Sequence, residues 1–268
     1  MSQLPRASVE ALSRKAGESV SRREFKGAFT LPDAAVEQLL AVGWLSLERE
    51  ASLRMLLGPH TLSGVSARAL LDELGELDPA DSEAGYIPLQ AAFRGVGGRE
   101  KPWAPVLIAA VRRKLPGGLR LITSGSRPCL AMHEAAARAV IMGGPDAKSP
   151  YRFDIREYGD FGRDWMAPSE VEAYLNCTAQ DIAWLRRRGC LPLIESEKPR
   201  FGRECVEQVG RQFMTSQEAA ARLGVLAKEV WELLETRPEI RSIGQGFHER
   251  EGLEAVLRAE AHNPVWWN

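Results

Sequence analysis

The sequence predicts a mainly α chain with short β-hairpins, an α+β protein built as a tandem array of four small units. Three observations predict it. One residue frame recurs along the 268 residues. Every copy of the frame reads helix, turn, helix, hairpin, helix. The longest apolar run, "VLIAAV", is far shorter than the roughly 18 residues of a membrane span, in a chain that is 44% hydrophobic and 26% charged.

The frame is clearest in "MAPSEVEAYLNCTAQDIAWLRRRGCLP" from Met166 and "MTSQEAAARLGVLAKEVWELLETRPEI" from Met214. Glu170 falls on Glu218, Ala173 on Ala221, Leu175 on Leu223, Ile182 on Val230 and Leu185 on Leu233, without a gap. Upstream, Val20 falls on Met166, Glu24 on Glu170, Phe29 on Leu175, Val36 on Ile182, Leu39 on Leu185 and Gly43 on Gly189. A looser copy starts at Ile87 and carries an insertion, "GREK", before Trp103, Val106, Ala109 and Leu115.

The elements follow in order. Residues 1–80 form a first unit, whose second helix stops at Gly43, a residue suited to the left-handed cap. Residues 84–144 form a second unit with "LRLITS" as strand and "MHEAAARAVIM" as last helix. Residues 145–165 are a linker rich in aromatics (Tyr151, Phe153, Tyr158, Phe161, Trp165), a composition that predicts packing along the units. In the third unit, 166–212, Asn176 makes the turn, Thr178 caps the second helix and "LPLIES" is the strand. The fourth unit, 213–268, has Gly224 at its turn and a tail, "NPVWWN". Helix, turn, helix, hairpin, helix is the order of a winged helix-turn-helix, with the hairpin as wing.

The third copy also resembles excisionase and MerR-type winged helices. Glu170, Ala173, Leu175, Cys177, Thr178, Ile182, Leu185, Gly189, Leu191 and Pro192 fill that family's frame, and Glu218, Ala219, Ala220, Leu223, Gly224, Val225, Val230 and Leu233 fill it in the fourth. A tandem array of such modules is similar to the C-terminal region of TniQ/TnsD-type proteins, which select target sites for transposases. That resemblance implies double-stranded DNA as a partner, a transposase- or recombinase-associated protein as another, and a bacterial cytoplasmic, nucleoid-associated location. Those proteins carry a cysteine-rich zinc region. Here Cys129, Cys177, Cys190 and Cys205 form no CxxC pair, so no metal or other cofactor is expected.

Charge singles out candidate residues. The net charge is −1, yet residues 84–144 carry nine Lys and Arg against two Asp and Glu. A local field of that size suits an anionic partner. In the second unit Arg99, Lys101, Arg112, Arg113, Lys114, Arg120 and Arg127 are the expected phosphate contacts, while Trp103 reads as core. In the third, Gln180 suits adenine, and Trp184, Arg186, Arg187, Lys198, Arg200 and Arg203 line the second helix and wing. In the fourth, Glu229 and Glu232 would repel phosphate, so they and the tail residues Trp266 and Trp267 are expected to meet a protein. His60, His133, His248 and His262 are scattered without a nucleophile partner, and the glycines at 95, 97 and 98 match no nucleotide-binding motif, so no enzyme is expected. A protein–protein scaffold and a transcription regulator are the rival readings.

Overall fold

The structure, a computed structural model, describes residues 15–77, 85–124, 127–141 and 150–260. It is mixed α/β, with helices around three small antiparallel sheets. The chain begins with α1 (Arg22–Ala28), α2 (Asp33–Ala41), α3 (Ala51–Leu57) and α4 (Gly64–Gly75). Next come β1 (Tyr86–Pro88), α5 (Leu89–Ala92), a 3-10 turn (Phe93–Gly95), α6 (Trp103–Val111), β2 (Leu119–Ser124), β3 (Arg127–His133) and α7 (Glu134–Ile141). A 3-10 stretch (Ile155–Phe161) leads to β4 (Trp165–Met166), α8 (Pro168–Leu175), α9 (Ala179–Arg187), β5 (Leu193–Ile194), β6 (Arg200–Gly202) and α10 (Arg203–Gln212). The chain closes with β7 (Phe213–Thr215), α11 (Ser216–Leu223), α12 (Ala227–Glu235), β8 (Ser242–Gly244), β9 (Phe247–Glu249) and α13 (Arg250–Glu260).

Each sheet takes its strands in the spatial order first, third, second: β1-β3-β2, β4-β6-β5 and β7-β9-β8. The recurring residues Ile87, Met166 and Met214 occupy the first strand and pair with Met132, Phe201 and His248. Between residues 20 and 62 no sheet forms, but isolated bridges Val20–Leu62 and Leu47–Leu62 keep the same order, with α3 replacing a hairpin tip.

Local chemistry sets the helix ends. The recurring glutamate is the third residue of α1, α8 and α11. Glu24 accepts from the Ser21 amide at 2.8 Å and Glu170 from the Ala167 amide at 2.7 Å, each satisfying an end amide that the helix leaves unpaired. Thr178 Oγ1 accepts from the Asp181 amide at 3.3 Å, capping α9. Asn176 (φ 51°) and Gly224 (φ 69°) take the left-handed turn after α8 and α11.

The apolar side chains form three cores. The first runs from Val20 to Ile155 and joins the first two units with Tyr151 and Phe153 of the linker segment. The second is built on Met166, Val171, Ile182, Leu185 and Phe201, and also contains Phe247 from β9. The third gathers Met214, Ala219, Val230, Leu253 and Leu257. Burying a side chain of this size stabilises by about 1.5–3 kcal/mol, so Phe247 welds the fourth unit to the third. No helix among the described residues is long and apolar enough to cross a membrane.

Candidate nucleic-acid interface

The second helices differ in what covers them. Helices α2 and α6 pack on each other. Gln38 of α2 is buried, donates to the Lys101 carbonyl at 2.8 Å and accepts from the Ala104 amide at 3.1 Å. It thereby caps the start of α6, whose residues Trp103, Ala104, Val106 and Leu107 are all buried. The start of α6 therefore offers no surface to a groove.

The segment before α6 is buried as well. Its glycines thread a junction with the third and fourth units. A Cβ on Gly97 would overlap Glu218 Oε2 and lie 2.9 Å from Asn176 Nδ2. One on Gly98 would lie 2.7 Å from Arg250 Nη2. The Gly98 amide donates to the Tyr174 carbonyl at 2.9 Å. Asn176 donates to the carbonyls of Arg94 and Val96, at 2.7 and 3.0 Å. Glu218, fully buried, binds Arg222 at 2.6 Å and both arms of Arg250. Burial alone would raise the Glu218 carboxyl, but the two guanidiniums outweigh it and hold it below the ordinary glutamate value.

This junction corrects the expected phosphate contacts. Arg99 is 7% exposed and donates to the Val140 carbonyl in the last turn of α7. Burial, with Arg222 and other cations nearby, lowers its guanidinium to about 10. The Lys101 ammonium is turned inward onto Asn176 Oδ1 at 2.7 Å, and burial lowers it to about 8. Arg203 is 5% exposed; its Nη1 meets Glu100 Oε1 at 2.6 Å and its Nε donates to the Arg163 carbonyl. All three cations are consumed inside the fold. Trp184 is partly buried and stacks on Phe247, ring centres 6.4 Å apart, so it is a packing residue at the boundary between the third and fourth units. Arg200 lies over the Trp165 ring at 4.0 Å, and Trp103 meets Phe93 edge-on, as a core residue does.

Other expected residues stay at the surface. Arg112, Arg113 and Lys114 are exposed at the end of α6, with Arg112 over Trp44 at 5.5 Å, and Arg120 lies over Tyr86 at 4.7 Å. Gln180, Arg186, Arg187 and Lys198 are exposed. The side chain of Arg127, and Trp266 and Trp267 altogether, lie outside the described residues. Comparison of the chain with protein-family models, with curated proteins and with solved structures finds no match.

Two second helices, α9 and α12, keep an exposed face, and the two faces differ in sign. On α9, Gln180, Arg186, Arg187 and Arg188 are exposed, and among the described residues Arg186 and Arg187 have no ion-pair partner. Arg188 lies over the Trp184 ring at 5.2 Å. On α12, Glu229 accepts from the Leu226 amide at 2.7 Å, Glu232 pairs with Lys228 at 3.4 Å, and Leu226 and Trp231 are exposed. The sequence reading missed Arg241 and Gln245, exposed around β8. The "GQG" turn signals a hairpin, but nothing in it says that the hairpin abuts α9.

Proposed function

We propose that the chain is a DNA-binding protein of four winged helix-turn-helix modules, serving target-site recognition or recruitment in transposition or site-specific recombination. The observation that carries the reading is the open face of α9: Gln180 near its start and Arg186, Arg187 and Arg188 at its end, none of which has an ion-pair partner among the described residues. Phosphate contacts by such cations position a protein on duplex, and a side chain such as Gln180 specifies a base. Arg112, Arg113 and Lys114 supply a second cationic edge. The recombination role rests on the resemblance of the module frame, and the acidic, partly apolar α12 is the face assigned to a protein partner.

The scaffold reading draws support from the burial of the α6 start, because one second helix is spent on intramolecular packing. A titration of labelled duplex separates the two. DNA binding predicts affinity that falls steeply between about 50 and about 200 mM salt, and its loss on reversing Arg186 and Arg187 to Glu. Absence of binding at the lower salt, or binding that survives the reversal, overturns it.

A further inference from the structure

We propose that the β8–β9 hairpin of the fourth unit acts as a wing for α9 of the third, so that both form one composite face for the backbone of duplex DNA. The inference rests on the DNA-binding reading and assigns part of that site to a unit whose own second helix is acidic.

The hairpin is fixed to α9 by packing. Phe247 is 1% exposed and belongs to the third unit's core, with Ile243 packed beside it. Trp184 of α9 stacks on Phe247 with an interplanar angle of 6°. The same indole passes so close to Gly244 that a Cβ there would lie 3.2 Å from Trp184 Cζ2. Gly244 also has φ 102°, so an L side chain there is strained in its backbone and tight against the indole. One turn before Trp184 on the same side of α9 stands Gln180, and one turn after it Arg188. The hairpin thus borders the side of that helix that carries Gln180 and Arg188.

The tip is built to display a polar side chain. Gln245 (φ 48°) and Gly246 (φ 74°) are the two central residues between β8 and β9, both in the left-handed region that tight hairpins of this kind need. A glutamine held there is strained where glycine or asparagine would not be. Gln245 is exposed and makes no side-chain hydrogen bond among the described residues.

Charge selects this hairpin over the third unit's own. Between β5 and β6 the chain carries the exposed carboxylates Glu195 and Glu197 beside Lys198. These would repel phosphate. The tip of the β8–β9 hairpin, Gln245 and Gly246, carries no acid; Arg241 and Glu239 are exposed at the foot of β8 and Glu249 at the end of β9. At the tip, the anionic duplex backbone therefore meets less repulsion from the neighbour's hairpin than from the resident one.

Fluorescence anisotropy with a labelled random-sequence duplex at about 50 mM salt tests the assignment. Arg241→Glu with Gln245→Glu should weaken binding about fivefold or more and lower the salt slope by about one. Gln245→Lys should tighten binding, a gain that misfolding cannot mimic. If both hairpin variants bind as wild type does while reversal of Arg186 and Arg187 abolishes binding, the composite face is wrong and the DNA reading stands. If wild type shows no binding, the DNA reading itself fails and takes the composite face with it.

Discussion

Arg250 of α13 holds both carboxylate oxygens of Glu218, the third residue of α11, at 2.8 and 2.9 Å, in a site with no solvent access to the glutamate. At the matching positions Glu24 and Glu170 serve as helix caps. One recurring residue has thus been turned from a local cap into the hub of a junction that also receives Gly97 of the second unit.

Breaking that hub should be costly. Glu218→Ala leaves the guanidiniums of Arg222 and Arg250 with only their longer, 3.4 Å contacts to Glu254, an expected loss of up to about 3–5 kcal/mol. Because the folded-state carboxyl lies below its ordinary value, its contribution is complete above the unfolded value of 4.5 and declines as pH falls below it. Urea titrations from pH 7 to pH 3 should show the difference between wild type and Glu218→Ala shrinking with acid. A difference that is constant across the range contradicts the assignment.

Gly97→Ala should destabilise by about 1–3 kcal/mol or more, since the methyl group meets the Glu218 carboxylate inside a packed junction. Gly118→Ala is the control. It has φ 75° but open space around it, so only the backbone penalty of about 1–2 kcal/mol applies. Thermal melts of the two variants should rank them in that order.

Lys101 moves stability with pH in the same direction as Glu218, but in an alkaline window. Its folded value, about 8, is below the unfolded 10.5, chiefly through burial. Between those values the unfolded chain binds the extra proton, so the Lys101 contribution makes stability rise with pH over that window. Lys101→Met should remove that rise, which denaturant midpoints at pH 8 and pH 10 would reveal.

Trp184→Ala should loosen the third and fourth units from each other. The substitution empties the space between Phe247 and Gly244 and is expected to cost about 2–4 kcal/mol. Amide exchange in β8 and β9 should accelerate more than exchange in α5 and α6. Uniform acceleration would argue against a local joint.

Reversing Arg112 and Arg113 tests the second cationic edge independently of α9. If both touch phosphate, Arg112→Glu with Arg113→Glu should lower the salt slope of duplex binding by about two. An unchanged slope removes this edge from the interface.

The repeated frame made the helices, the left-handed caps and most of the core legible, because Val171, Leu175, Ile182 and Leu185 recur at helical spacing and all are buried. The first strand of each sheet was not, since two or three residues around Met166 or Met214 carry no period. The harder distinction was among the arginines. Arg187 and Arg203 look alike in sequence, yet one is exposed and the other is closed over by Glu100 and the Arg163 carbonyl. The partners of Arg203 lie 103 and 40 residues away in the chain, beyond what local spacing can signal. The same holds for "GVGG": Gly95 answers to Ile141, and Gly97 and Gly98 to Glu218, Asn176 and Gly210, all more than a helix length downstream.

Phe247 has a consequence for how the chain is made. The third unit's interior is complete in backbone by α10, but one of its fully buried side chains arrives only with β9. During synthesis, domains fold as their residues emerge. Until residue 247 has left the ribosome, the third unit carries an open apolar socket beside Trp184. A nascent chain that has not yet delivered β9 is expected to leave that socket open to water, and Phe247 is the side chain that closes it.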